Sequence, residues 1–174
     1  MALYSIENDI CLGISHSGAV NVESEGYVEL SDEEVAKIFA LIDENVTLEE
    51  ERRKVKSCIM DVLNAPKGLV SIDVNDVKDL FQEGGAIHAF EVSVDALMVN
   101  RMKQMMDRII RKATNLEPYN RALAFFFFPE ELPLLMDELQ PFNDWIESVP
   151  GEFMIKWGMA TQSKQELRAI VLLQ

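Results

Sequence analysis

The sequence has little of what marks a secreted, metal-bound or nucleic-acid-binding protein. It has two cysteines in 174 residues, Cys11 and Cys58. They are too far apart for a metal-ligand pair and too few for a disulfide framework, and they read as thiols packed as small apolar groups. It has two histidines, His16 and His88. Neither has a ligand neighbour at metal spacing, and the adjacent residues Ser15-His16-Ser17 cannot adopt the geometry of a catalytic triad. No metal and no cofactor is expected. Positive charge is scarce, with 16 Lys and Arg against 30 Asp and Glu, a formal net charge of -14. Neutralising phosphates needs clustered Lys and Arg, so nucleic acid is not an expected partner, and an anionic membrane surface is disfavoured for the same reason. No apolar run approaches the ~20 residues of a membrane helix; the apolar patch Leu123–Phe128 has strand length. Met1–Ile10 carries Glu7 and Asp9 and lacks the basic-then-apolar layout of a signal peptide. The expected compartment is the cytoplasm.

What is present is apolar residues in regular patterns. At 48% apolar and 26% charged, the chain can build a sizeable core. Charge lies in blocks. Glu23–Glu51 holds eleven acids and one base, Arg101–Lys112 five bases and one acid, and Ala122–Ile155 seven acids and no base. Tyr4–Cys11 and Gly18–Val22 carry β-branched and aromatic residues and predict extended pieces, with turns at Ser15–Gly18 and Ser24–Gly26. Ser31-Asp-Glu-Glu34 has the form of a capping box, and Val35, Ile38, Phe39 and Ile42 continue it as an amphipathic helix over Asp32–Glu44. Thr47-Leu-Glu-Glu50 repeats the capping pattern and predicts a helix to about Asn64, ended by Pro66 and Gly68.

Beyond it the pattern predicts a short extended stretch over Leu69–Val74 and a helical turn over Asp76–Gln82, stopped by Gly84-Gly85. A strand over Ala86–Val92 and a long helix over Asp95–Lys112 follow. Five of the nine methionines lie between Met98 and Met136; a Met-rich face can bind varied partners, and at helical spacing methionines more often serve as core filler. Arg121–Phe128 predicts a strand whose four consecutive phenylalanines need cover on both faces. Pro129–Val149 reads as helical, with a kink or restart at Pro141. Phe153–Thr161 and Leu167–Leu173 are the last strands, joined through Gln162–Gln165 as an expected antiparallel hairpin. Trp145 and Trp157 are expected between helix and sheet. The fold class is therefore α+β, a mixed sheet with packed helices. The expected organisation is a small strand/helix segment over residues 1–46 and an α+β domain over 47–174.

One stretch carries more information. Cys58-Ile-Met-Asp-Val-Leu-Asn-Ala-Pro-Lys-Gly-Leu-Val-Ser-Ile-Asp-Val-Asn-Asp-Val77 resembles the end of the central helix and the catalytic loop of the tubulin/FtsZ family. In that family a Pro-Gly-Leu-Ile type lead is followed by Asn-x-Asp-x-x-Asp. Here Pro66, Gly68, Leu69 and Val70 give the lead, with Lys67 inserted. Asp73 and Asp76 fall on the acidic positions, and Ser71 falls on the Asn position. Glu83-Gly84-Gly85-Ala86 resembles the Glu-Gly-Gly-Ala that follows in FtsZ. The downstream element order matches the family's C-terminal domain, so the resemblance covers about residues 48–174.

The resemblance implies head-to-tail assembly, in which the loop acids of one subunit act on GTP held by the next. It also implies a separate GTP-binding domain with a Gly-Gly-Gly-Thr-Gly-Thr/Ser-Gly loop. No such run, and no other phosphate-binding glycine motif, occurs in the 174 residues. The residues before the matched region are too few for a GTPase domain. The expected function is a non-enzymatic protein–protein interaction or assembly-modulating module, acting on itself or on a tubulin/FtsZ-like partner. Asp73 and Asp76 also have a plainer reading, as caps and loop charges, with Asp76 capping a turn that begins at Val77. A second reading rests on the likeness of this C-terminal domain to small trimeric α+β folds of the chorismate-mutase type, with ligand clefts between subunits. Its candidate residues are Arg101, Arg121 and Glu91.

Overall fold

A computed structural model describes residues 2–6, 10–14, 32–68, 70–81, 85–149 and 151–174. Near the N-terminus, β1 (Ala2–Ile6) and β2 (Ile10–Ile14) pair antiparallel, Ala2 opposite Ile14 and Ile6 opposite Ile10. The expected strand over Gly18–Val22, the turns at Ser15–Gly18 and Ser24–Gly26, the Ser31 cap, His16 and the Gly84 stop lie outside the described residues.

The remaining elements are α1 (Asp32–Asn45), α2 (Glu49–Leu63), α3 (Val74–Leu80), β3 (His88–Asp95), α4 (Arg101–Lys112), β4 (Arg121–Pro129), α5 (Gln140–Ser148), β5 (Met154–Gln162) and β6 (Glu166–Leu173). The sheet order is β3-β6-β4-β5. β4 and β5 are parallel, and β6 is antiparallel to both of its neighbours, β3 and β4.

This order corrects the expected terminal hairpin. β5 and β6 do not pair, because β4 lies between them. Two strand spacings are ~10 Å, and the four steps from Gln162 to Glu166 reach ~13 Å, so the short connection clears the end of β4. The reason is burial. Ala169–Leu173 is apolar on both faces and buried throughout, as a central strand requires. β5 carries Lys156 and an exposed Met154, so it belongs at the edge.

Helices cover both faces, which is what the phenylalanine run demands. Phe125 and Phe127 join Val55, Ile59, Leu63, Val77 and Leu80 on the α2–α3 face, and Val35, Ile38 and Ile42 of α1 share this core. Phe126 and Phe128 join the opposite core under α4 and α5. There Phe142 meets Phe126 edge-on at 5.1 Å and lies between Trp145 at 6.0 Å and Trp157 at 5.7 Å, so both tryptophans pack between helix and sheet. Met102, Met105 and Met106 are buried in the same core. Two carbonyls on the outer edge of β3 are occupied, Ser93 O by Arg108 at 2.5 Å and Glu91 O by Lys112 at 3.0 Å, and such basic side chains blunt an edge as a template for strand addition.

Other boundaries moved for local reasons. The Thr47 capping box does not form. α2 starts at Glu49, and Leu48 at its N-cap makes no side-chain cap bond. Arg52 instead donates to Val46 O at 2.5 Å and Thr47 O at 3.1 Å. The stretch after Gly68 is not a strand but a single antiparallel bridge, Val70 to Met159. α4 begins at Arg101 rather than Asp95, because Asp95 holds a turn by accepting from Leu97 N at 2.9 Å and Asn100 is left-handed at φ 56°. The segment before Pro141 is a 3-10 turn at Met136–Leu139, and α5 restarts at Gln140 with the proline in its first turn, where no donor is needed.

Candidate functional site

The loop between α2 and α3 is built from the close approach of Gly68 to β5. Any Cβ on Gly68 would collide with Met159 O. Glycine therefore lets the backbone lie against the edge strand, and Met159 N donates to Val70 O at 2.8 Å. The chain then turns into α3 at Asp73. The Asp73 carboxylate accepts from Asn75 N at 2.8 Å and Asp76 N at 2.9 Å, and Asp73 N donates to Asp76 Oδ2 at 3.0 Å. This is a reciprocal capping box. The cap is Asp73, with the helix starting at Val74, and not Asp76 as the plainer sequence reading had it. Ser71, on the position of the family's Asn, is exposed two residues before the cap.

Asp76 also reaches the sheet. Lys156 of β5 donates to Asp76 Oδ1 at 2.7 Å and to Asp79 Oδ2 at 2.8 Å, so one cation joins two carboxylates a helical turn apart. Partial burial pushes the Asp76 carboxyl up. The hydrogen bonds from Lys156 and from Asp73 N–H, with the lysine charge, outweigh it and hold the group below the usual carboxylate range. Burial likewise pulls Lys156 down, and its bonds to Asp76 and Asp79 carry it above its ordinary value. Arg121 lies alongside and donates to Asp79 O.

The two loop acids thus meet in one small structure, Asp73 exposed and Asp76 half-buried. Their oxygens hold the start of a helix and a lysine. Sequence reasoning missed Lys156 and Asp79. A lone cation inside an otherwise apolar strand was the available signal, since such a group requires a carboxylate nearby.

The residues named for the second reading fall into separate clusters. Arg101 is only 7% exposed. It donates to both oxygens of Glu138 at 2.9 and 2.8 Å and to the carbonyls of Ala96, Leu132 and Pro133 at 3.3, 3.0 and 2.7 Å. Glu91 accepts from Arg168 at 2.9 Å, and the Cys58 thiol lies 3.7 Å from its other oxygen. Burial, with the charges of Glu91 and Asp61, pushes that thiol up to about 12, away from the thiolate form. Arg168 also pairs with Asp61 and lies 5.2 Å over the Phe127 ring. An open cleft of about 600 Å³ beside it is lined by Asp61, Asn64, Phe127, Thr161 and Gln162 at the carboxyl ends of β4 and β5. His88 is set against Phe90 at 5.6 Å.

No protein-family profile matches the chain, and no curated protein matches its sequence. Solved structures do match its fold. An FtsZ dimer from M. jannaschii aligns with a TM-score of 0.54 at 18% identity, covering 80% of this chain and 43% of that one. TubZ in GDP-form protofilaments from Bacillus thuringiensis serovar israelensis gives 0.56 at 11% identity, covering 86% and 43%. CetZ2 from Haloferax volcanii, in a GTPγS-bound protofilament, gives 0.50 at 16% identity, covering 72% and 38%. The chain thus has the α+β fold of a tubulin/FtsZ-like C-terminal domain. It spans about two fifths of the length of the structures it matches. Among the described residues, no helix is long and apolar enough to cross a membrane.

Proposed function

We propose that this chain is a non-enzymatic interaction module of the cytoplasm that docks onto itself or onto a tubulin/FtsZ-like GTPase and modulates its assembly. The observation that carries the reading is the structural use of the loop acids. Asp73 and Asp76 occupy the family's acidic positions, yet Asp73 Oδ1 caps α3 and both Asp76 oxygens are engaged, by Asp73 N and by Lys156, in a sequence with no glycine-rich phosphate loop. A surface of this kind can serve as an assembly contact without supplying a nucleotide. Two solved neighbours are described as protofilaments, which supports assembly as the context.

The test mixes the chain with a purified FtsZ-type GTPase and GTP. The expected result is a change in pelleted polymer and in GTP turnover; no change in either contradicts the proposal. A sharper form holds that the two acids act on the partner's nucleotide. Asp73→Asn with Asp76→Asn keeps the acceptors that cap α3 and removes the charges. If that variant alters turnover as strongly as the parent, the acids have no such role.

A further inference from the structure

Among the described residues, the large apolar side chains left in water are concentrated. Of the large hydrophobic residues that are exposed, Leu97, Met98 and Val99 lie on the loop between β3 and α4, and Leu135 and Met136 on the loop between β4 and α5. Leu97 is 77% exposed, Val99 80%, Leu135 59% and Met136 62%. Loop tips ordinarily carry small or polar residues, and a concentration of exposed apolar side chains marks an interaction surface.

These two loops are not free to move apart. The buried guanidinium of Arg101 bonds Ala96 O of one and Leu132 O and Pro133 O of the other. Its partner Glu138 accepts from Leu135 N at 3.0 Å through Oε2, the same oxygen that receives Arg101 Nη2 at 2.8 Å. Gln104 holds the first loop from α4 by donating to Val99 O at 3.2 Å. The apolar side chains therefore flank a fixed junction, and little ordering remains for a partner to impose.

The charge around the junction selects the partner. Asp95, Glu130, Glu131 and Asp137 are exposed on these loops and their flanks, against two exposed bases, Lys103 on α4 and Lys164, which pairs with the Glu166 that stands opposite Asp95. An acidic rim repels anionic lipid and nucleic acid. It also repels the same patch on a second copy, since a symmetric contact would set like charges against one another. We propose that the two loops form a docking surface for a protein segment that alternates apolar side chains with Lys or Arg. This surface is distinct from the α2–α3 loop and does not depend on the function proposed above.

The experiment uses the full chain and a labelled 14-residue helical peptide of leucine and lysine, with a leucine–glutamate peptide of the same pattern as control. Fluorescence anisotropy should show binding of the lysine peptide only. Leu97→Ser with Val99→Ser, and separately Leu135→Ser with Met136→Ser, should each weaken it by about tenfold or more, while Met154→Ser, an exposed apolar residue elsewhere, should leave it unchanged. All these positions are exposed, so the variants keep their cores. Binding of both peptides or of neither, or equal losses in all variants, overturns the proposal. Binding of phosphatidylglycerol vesicles, or concentration-dependent dimerisation, that disappears in the same loop variants assigns the patch to lipid or to a second copy and also overturns it.

Discussion

Two parts of this molecule solve the same problem in different ways. The α2–α3 loop with the start of α3, and the junction of the β3–α4 and β4–α5 loops, are each tied down by basic side chains. At the first, Lys156 stands between Asp76 and Asp79, partly open to water. At the second, Arg101 is buried and spends its donors on three carbonyls and Glu138. A lysine is a hydrated point charge that can release its partners, whereas an arginine fork held in a dry site cannot. The first loop presents carboxylates and should respond to pH and salt. The second presents apolar side chains on a base that should not. A polar surface can be held by polar contacts at the surface, but an apolar surface needs its polar anchor underneath.

The largest effect should come from breaking the buried anchor. Arg101→Met strands Glu138 and three carbonyls and should cost about 3–5 kcal/mol in urea unfolding. Lys156→Met, at a partly exposed cluster, should cost about 1 kcal/mol. Equal losses would erase the contrast. Next, Gly68→Ala drives a Cβ into Met159 O, and a loss of about 1–3 kcal/mol is expected. Amide exchange should then rise at Val70 and Met159 and stay unchanged at Leu97 and Leu135.

A smaller effect separates the roles of the loop acids. Asp73→Ala removes the acceptor for two N–H groups of α3 and should cost about 1 kcal/mol, with Asp73→Asn within a few tenths of the parent. The smallest concerns acid. Asp76 titrates below its ordinary value of about 4, so the unfolded chain binds its proton first as pH falls. The stability it contributes is complete above about pH 4 and is lost as pH falls through the folded-state value. Unfolding midpoints measured from pH 6 downward should therefore fall less steeply in Asp76→Asn than in the parent.

Much of the fold was legible because its signals are local. The apolar spacing of Val35, Ile38 and Ile42 gave α1, and the phenylalanine run gave a strand covered on both faces. Pro141 gave the restart of α5. The order of strands was not local. That β6 enters between β3 and β4 follows from weighing the unbroken apolar run of Ala169–Leu173 against Lys156 and Gly158 in β5, a comparison between strands rather than within one. Gly158 belongs to the same lesson. A Cβ there would come within 2.6 Å of the Phe125 ring, so the edge strand is thinned to admit the central one. The loop acids were found by resemblance, and their partners were not. Lys156 is 80 residues from Asp76, and no spacing rule joins positions so distant. Arg101 stands out in the sequence only as a candidate residue, and its engagement with Leu132, Pro133 and Glu138 depends on how two loops fold together.

The central claim is that the α2–α3 loop is the face that meets a tubulin-like partner. Amide hydrogen exchange of this chain, alone and with a polymerising FtsZ-type GTPase, tests it most directly. Protection confined to Ser71–Phe81 and the adjoining part of β5, with Leu97 and Leu135 unchanged, is the predicted result. Protection only at the Arg101 junction, or none anywhere, would contradict it.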